Sequence, residues 1–247
     1  RRLNRNVDWG TAPQDEQQSM KQQMGRLIEY LEQLPLTLIC VDGIEADDTM
    51  AYISQQLLPK SDIMLMSTDK DFLQLVDDRV KVWSPTKKKL YTKQVIQEEF
   101  GLPSRNMLTY RILDGDKSDN IGGIQGAGLK TIIKHIPQIT EDKDFTAKDL
   151  LEFVNNTDKK IKVLENIKNS SNLLKRNYLL MQLNNVDIPN HTKMKIQGAV
   201  NGDVPQLIKY KFQTMFLKDK LQTGIKNFDS WVMEFTRLDR FRGLGDR

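Results

Sequence analysis

Cysteine and histidine are scarce in this sequence. Its 247 residues include one cysteine, Cys40, and two histidines, His135 and His191. A lone cysteine excludes an internal disulfide and a cysteine-based zinc site, and its apolar surroundings predict a small buried hydrophobe. Both histidines lie in ordinary helical or loop sequence, which argues against a histidine-dependent triad. The chemistry of this chain must therefore be sought in other residue types.

Long apolar segments are missing as well. No stretch is long and apolar enough to span a membrane, so we expect no membrane partner. The composition is 38% hydrophobic and 28% charged, which is typical of a globular protein with one large or two ordinary domains. Lys and Arg exceed Asp and Glu by 37 to 33, a net charge of +4 that suits a nucleic-acid partner without requiring one.

Carboxylates are plentiful, and seven of them come in three short groups. They are Glu45, Asp47 and Asp48, then Asp69 and Asp71, then Asp116 and Asp119. The first two groups follow apolar runs at 36–41 and 63–67 that read as buried parallel strands. Like charges gathered near a core repel each other and lose hydration, and a hard divalent cation with oxygen ligands relieves both costs.

The predicted elements place two of these groups at one edge of a sheet. Strands of an open α/β sheet present ligands at their carboxyl ends, and neighbouring strands lie about 4.8 Å apart, so the first two groups could share one metal centre. The alternative for Asp47 and Asp69 is helix capping or first-turn placement, which Asp favours anyway. Helices are predicted at 20–34, 47–58, 70–76, 92–100, 146–155, 158–168 and 172–183, with a β-hairpin at 80–84 and 89–92 and an irregular basic, aromatic stretch at 205–247.

A glycine-rich segment follows the third group. Gly122, Gly123, Gly126 and Gly128 precede Lys130 and Lys134, which are one helical turn apart. No Gly-Lys-Ser/Thr follows, so this is not a P-loop, and the spacing of the acidic residues before it does not fit an EF-hand. Such a hairpin lets a backbone approach phosphates without base-specific groups. The alternative is a plain joint between two packed helices.

These motifs, in this order and spacing, resemble the flap endonuclease and 5′→3′ exonuclease family, most nearly its bacteriophage ribonuclease H type. The residues that carry the resemblance are 45–48, 67–72 and 115–128. The resemblance implies an α/β fold: a PIN-like (Rossmann-like) parallel-sheet nuclease domain at 1–113. It further implies a mainly helical domain at 114–247, with a helix–three-turn–helix DNA-binding element at about 114–136.

The resemblance also implies a set of functional residues. Two Mg²⁺ ions, replaceable by Mn²⁺, would be bound by Glu45, Asp47, Asp48, Asp69, Asp71, Asp116 and Asp119, of which Asp47, Asp69, Asp71, Asp116 and Asp119 would be catalytic. The duplex would be gripped by Gly123, Gly126, Gly128, Lys130 and Lys134, with a possible monovalent cation at the hairpin. Arg1, Arg2 and Arg5 would guide the single-stranded 5′ end.

The implied role is two-metal hydrolysis of RNA primers and 5′ flaps on DNA or RNA–DNA duplexes during phage DNA replication, by a cytoplasmic monomer in a bacterial host. A single-strand binding protein is a candidate partner for the basic, aromatic C-terminal stretch, and the favoured alternative is a C-terminal helix that packs on the domain. The family also has N-terminal strands that end in metal-binding Asp residues, and the residues from Arg1 onward supply neither, so we expect a fragment or a chain completed by another segment. Two alternatives stay open: a non-catalytic structure-specific DNA-binding protein and a PIN-type ribonuclease.

Overall fold

The structure, a computed structural model, describes residues 14–221 and 223–239. The chain divides into two compact units, one formed by Arg1–Val41 with His191–Arg247 and the other by Asp42–Asn190. The predicted domain boundary after residue 113 falls inside the second of these units and stays a prediction. The two units are described separately.

A small mixed sheet lies in the unit Asp42–Asn190. Its strands are β1 (Ile63–Met66), β2 (Val80–Ser84) and β3 (Lys89–Tyr91), in that order. β1 runs parallel to β2, and β2 pairs antiparallel with β3. Buried residues alternate along β2, as expected for a strand with one face on a core. The predicted hairpin is therefore confirmed, whereas the expected parallel sheet is limited to one parallel pair.

β1 is an edge strand of the described sheet. It pairs only with β2 among the described residues. Leu65 points into the core, while Met64 and Met66 are 62% and 68% exposed. The strand ends directly before the second acidic group, as predicted.

The helices of this unit begin and end at sequence signals. The hydroxyl of Thr92 accepts a hydrogen bond from Val95 N–H at the start of α3, which ends at Gly101 with φ 67°. Thr146 and Asp149 form a capping box at the start of α6. The helices are α2 (Ala46–Tyr52, continued by a π-helical turn Ile53–Leu57), α3 (Lys93–Phe100), α4 (Met107–Asp114), α5 (Leu129–His135), α6 (Ala147–Asn156), α7 (Lys162–Asn169) and α8 (Ser171–Met181), with 3₁₀ segments at Asp71–Leu75, Ser104–Asn106 and Pro137–Thr140.

The strand predicted at 36–41 is wrong. This segment has no regular structure, and no described strand pairs with it. An apolar run becomes a strand only where a neighbouring backbone completes its hydrogen bonds. Leu36 packs on an aromatic cluster instead, and Leu38 is exposed. Cys40 is exposed too, so the prediction of a buried cysteine is also wrong.

The other unit is helical, with a core of aromatic rings. Its helices are α1 (Gln14–Leu31), α9 (Asn190–Asn201), α10 (Lys209–Lys218) and α11 (Phe228–Asp239). Tyr30, Phe212 and Phe216 are buried, and Phe228 and Trp231 pack against them. The irregular stretch predicted at 205–247 is therefore wrong for α10, whereas α11 confirms the alternative of a packed C-terminal helix. None of the described helices is long and apolar enough to cross a membrane.

Candidate functional site

The first acidic group lies at the start of α2. Glu45 occupies the N-cap position, but its side chain makes no capping hydrogen bond and is exposed. Asp47 and Asp48 lie half-buried in the first turn, where the helix dipole favours negative charge. Burial, and then the neighbouring charge of Asp47, raises the pKa of Asp48. First-turn placement therefore holds for Asp47 and Asp48, and it leaves their carboxylates available for a ligand.

The second acidic group is fixed by a tight turn after β1. The Asp69 N–H donates to Ser67 Oγ at 3.1 Å, and the Asp71 N–H donates to Asp69 Oδ1 at 2.8 Å. Short side-chain-to-backbone bonds of this kind are typical of Asp in turns. Asp71 then begins the 3₁₀ segment and is buried. The sequence of the turn thus sets the positions of both carboxylates.

The third acidic group lies in a hairpin between α4 and α5. Asp116 and Ile121 exchange main-chain hydrogen bonds of 2.9 and 2.7 Å. Asp116 Oδ1 also accepts hydrogen bonds from the N–H, at 2.7 Å, and from the hydroxyl of Ser118. Although burial opposes it, these bonds, together with the hydrogen bond and the charge of Arg111, lower the pKa of Asp116. Asp119 is exposed in the turn of the hairpin.

Arg111 joins the second and third groups. Its Nε donates to Asp71 Oδ1 at 2.8 Å, its Nη2 donates to Asp116 Oδ2, and its Nη1 donates to Gly115 O at 3.1 Å. The side chain is only 5% exposed. Sequence reasoning missed this residue. A signal was present, because Arg111 is the only charged residue between Met107 and Leu113, and an arginine in a segment that is buried along its length has to be paired.

The charges of all three groups influence one another. Burial raises the pKa of Asp71 to about 6, against the attraction of Arg111 and with help from the charges of Asp69 and Asp116. Burial, and then the charges of Asp116, Asp69 and Asp47, raises the pKa of Asp119. The five residues predicted to be catalytic therefore lie in one electrostatic neighbourhood. Asp48 interacts with the charge of Asp47, which belongs to this neighbourhood, and Glu45 is exposed two residues before Asp47.

The donor set fits a hard divalent cation. The neighbourhood offers carboxylate oxygens from several elements, which are the ligands that Mg²⁺, Ca²⁺ and Mn²⁺ prefer. In residues 14–221 and 223–239, however, no three His, Cys, Asp or Glu side chains already stand together as a finished metal site. Ligation would thus require side chains to turn toward the ion, and Asp71 and Asp116 would have to share their oxygens with Arg111.

The glycines of the hairpin have two different roles. A Cβ on Gly123 would lie 2.1 Å from Asp114 O, and one on Gly115 would lie 2.5 Å from Gly123 N, so these two backbones pack directly on each other. This is the close approach of a packed joint. A Cβ on Gly126 or Gly128 would meet nothing within 4 Å, so these two positions face open space.

The open side of the hairpin is basic. Lys130 and Lys134 on α5 are exposed, and neither forms an ion pair with a described residue. Asn166 Nδ2 donates to Gln125 O at 2.9 Å and ties α7 to the hairpin. A cavity of about 350 Å³ lies between them, with Lys162 on its rim. Arg1, Arg2 and Arg5 lie outside the described residues.

Comparison with known proteins gives a consistent result. The pattern of the 5′-3′ exonuclease N-terminal resolvase-like domain matches residues 4–101. A 5′-3′ exonuclease of Buchnera aphidicola subsp. Acyrthosiphon pisum (strain APS) is 32% identical over 183 residues, which are 70% of this chain and 60% of that protein. A 5′-3′ exonuclease of Aquifex aeolicus (strain VF5) is 36% identical over 115 residues, or 46% of this chain and 40% of that protein. The chain thus spans about half the length of these relatives.

Solved structures agree with the sequence relatives. The T5 D15 protein co-crystallised with metal ions has a TM-score of 0.60 and 26% identity, over 87% of this chain and 76% of that one. The bacteriophage T5 D15 flap endonuclease in a pseudo-enzyme–product complex with DNA and metal ions has a TM-score of 0.59 and 26% identity, over 87% and 75%. The chain described here is thus similar in sequence and in fold to 5′-3′ exonucleases and flap endonucleases.

Proposed function

We propose that this chain is a structure-specific 5′→3′ exonuclease and flap endonuclease that hydrolyses phosphodiesters at 5′ ends. The observation that carries the proposal is that the charges of Asp47, Asp69, Asp71, Asp116 and Asp119, from three separate segments, interact, and that Arg111 joins two of these segments by hydrogen bonds. Helix capping alone does not account for this arrangement, because carboxylates that lie near one another repel and gain nothing from it as caps. The relatives that share the sequence are 5′-3′ exonucleases.

Two Mg²⁺ ions, or Mn²⁺ in their place, would be held by Glu45, Asp47, Asp48, Asp69, Asp71, Asp116 and Asp119. When bound, such ions supply an activated water and stabilise charge on the attacking and leaving oxygens. The protein's own part is to hold the carboxylates in place. The turn after β1 fixes Asp69 and Asp71, and the hydrogen bonds of Asp116 with Ser118 and Ile121 fix the third group.

The hairpin would bind the duplex. We propose that α4, the hairpin and α5 form a helix–three-turn–helix element beside a PIN-like sheet. Gly126 and Gly128 leave the backbone open, and Lys130 and Lys134 offer unpaired positive charge, which suits phosphates of any sequence. A monovalent cation at the hairpin belongs to the same proposal. Gly123 would contribute by packing, since a side chain there would strike Asp114.

The substrates would be 5′ flaps and RNA primers on DNA, and the role would be their removal during phage DNA replication. A bacteriophage T5 flap endonuclease that the chain resembles has been solved in a complex with DNA and metal ions, which supports this choice of substrate. A monomer that docks on a single-strand binding protein through its basic C-terminal stretch is the accompanying proposal for partners.

The first test is cleavage of a 5′-flap DNA under single-turnover conditions with MgCl₂. Asp119→Asn removes one charge from the exposed edge of the site without touching the buried Arg111 pairs. We expect its cleavage rate to fall by about 10²-fold or more. Asp158→Asn, which changes an exposed acid on the loop before α7, serves as the matched control and should cleave at the wild-type rate.

The outcomes separate the competing functions. Duplex binding measured by fluorescence anisotropy in EDTA should be preserved in Asp119→Asn, because the hairpin lysines are unchanged. Duplex binding without any Mg²⁺-dependent cleavage by the wild type would favour a non-catalytic DNA-binding protein. A preference for unpaired RNA over duplex would favour a PIN-type ribonuclease. Equal cleavage by Asp119→Asn and wild type would show that Asp119 takes no part in the chemistry.

A further inference from the structure

We propose that Arg111 is a positioning residue that acts as a built-in counter-cation: it holds Asp71 and Asp116 together and competes with a divalent cation for their oxygens. The inference rests on the proposed function, since it concerns the same carboxylates. It adds a residue that neither the acidic motifs nor the glycine hairpin contain, and it assigns that residue a role in setting the affinity of the site for metal.

The geometry matches a bridging role. A guanidinium is a planar fork whose donors are fixed relative to one another. Arg111 uses all three of its nitrogens, each toward a different acceptor: Asp71 on the 3₁₀ segment, Gly115 at the end of α4, and Asp116 in the hairpin. These acceptors belong to two segments that are far apart in sequence. One side chain therefore sets the spacing between the second and third acidic groups.

Burial makes the charge of Arg111 effective. The side chains of Arg111, Asp71 and Asp116 are 5%, 12% and 16% exposed, so water screens their interaction weakly. The nearby lysines, Lys70 and Lys117, are exposed and hydrated. Among the described residues Arg111 is thus the one buried cation that contacts these acidic groups.

Competition follows from the same contacts. Asp71 Oδ1 and Asp116 Oδ2 already accept charge-assisted hydrogen bonds from Arg111, and a divalent cation would draw on the same electron density. The guanidinium also repels any second cation that approaches. Arg111 should therefore keep metal binding weaker than the carboxylates alone would make it, while it keeps the two groups in place when the ion leaves.

Magnesium binding by the full chain tests this inference. Isothermal titration with MgCl₂ should show at least about fivefold tighter binding by Arg111→Met than by wild type. A change of about fivefold is at the lower end of the effects by which one bound charge commonly alters the affinity for another ligand. Thermal unfolding in EDTA should show Arg111→Met melting about 10 °C lower, because two buried carboxylates lose their partner. The difference in melting temperature between Arg111→Met and wild type should become smaller as MgCl₂ is added, because the bound ion replaces the lost positive charge.

Two further variants separate charge from structure. Arg79→Met is the matched control, because Arg79 donates only to main-chain oxygens, among them Leu58 O at 2.9 Å and Ser54 O at 2.7 Å. It should melt at a lower temperature with unchanged magnesium affinity. Arg111→Lys keeps the charge but replaces the three fixed nitrogens of the guanidinium by one, which cannot reproduce the spacing of all three acceptors. It should lose stability and keep magnesium affinity near the wild-type value, and it supplies the test if Arg111→Met fails to fold.

Several results would overturn the inference. Equal or weaker magnesium binding by a folded Arg111→Met would show that Arg111 does not compete with the ion. An equal gain of affinity in Arg111→Lys would show that its charge is irrelevant. Absence of magnesium binding by both wild type and Arg79→Met would instead defeat the proposed function and this inference with it, so the two failures can be told apart.

Discussion

Gly123→Ala provides the sharpest test of how the hairpin is built. The added Cβ would lie 2.1 Å from Asp114 O and 2.8 Å from Leu113 O, and separations under 3.0 Å are essentially never found. Both obstructing atoms belong to the main chain, so no side chain can turn aside to make room. The hairpin would have to move away from the end of α4 by about 0.9 Å, the difference between 3.0 and 2.1 Å.

That movement can be converted into a stability change. The hydrogen bond from Ile124 N–H to Leu113 O is 2.7 Å long, and an opening of 0.9 Å would stretch it to 3.6 Å, beyond hydrogen-bonding distance. A lost bond of this kind costs about 1 kcal/mol, and overpacking a tight site adds roughly 1–3 kcal/mol. We therefore expect the free energy of unfolding to fall by about 2–4 kcal/mol.

Urea unfolding followed by circular dichroism measures this change. Gly122→Ala is the matched control, because the neighbouring glycine faces open space and its substitution should change stability by less than about 0.5 kcal/mol. Weaker duplex binding by Gly123→Ala with wild-type stability would refute the packing argument. That result would indicate that Gly123 contacts a phosphate of the duplex, as expected from the sequence.

Three further predictions concern charge, pH and a buried amide. Lys130→Ala combined with Lys134→Ala should weaken duplex binding for every sequence and lower the slope of log affinity against log salt by about 1–2, as measured by anisotropy between 50 and 200 mM salt; an unchanged slope would remove these lysines from the DNA path. Burial raises the pKa of Asp71 to about 6, above its unfolded value, so protonation favours the folded state. Stability in EDTA should accordingly fall as pH rises from about 4 to about 6, and a urea series over this window should be flatter for Asp71→Asn. Asn106 is fully buried, donates to Ile139 O and Lys143 O, and accepts from Phe145 N–H, so Asn106→Ala should cost about 2–4 kcal/mol in the same unfolding assay.

Much of the fold follows from local signals. The start of α3 at Thr92 and its end at Gly101 were predictable because a capping hydroxyl and a left-handed glycine act within a single turn. The β2–β3 hairpin was predictable from its alternating pattern. The segment at 36–41 was not, because its apolar run carries no information about whether another strand lies beside it. α10 was missed, and α11 was predicted only as an alternative, because their aromatic residues pack into one shared core with partners that lie far away in sequence.

The candidate site divides in the same way. The acidic residues could be named from their spacing, because turns and helix starts place such short motifs locally. From the residues alone, their proximity was expected through a strand at 36–41, a segment that has no regular structure, yet charges from α2, the turn after β1 and the hairpin do interact. The bridge made by Arg111 depends on two segments some 40 residues apart, and the hydrogen bond from Arg111 to Asp71 spans that distance. No local pattern encodes it.

The edge of β1 has a consequence for handling the protein. In the described sheet, the side of β1 away from β2 offers unpaired main-chain groups, flanked by the exposed side chains of Met64 and Met66. Open edges of this kind recruit strands from other copies, so the apparent molecular mass measured by light scattering should increase with protein concentration. Oxidation of the Met64 and Met66 thioethers to sulfoxides would make this edge polar and would suppress the association between copies. Samples of this chain should therefore be compared only at matched concentration and matched redox history.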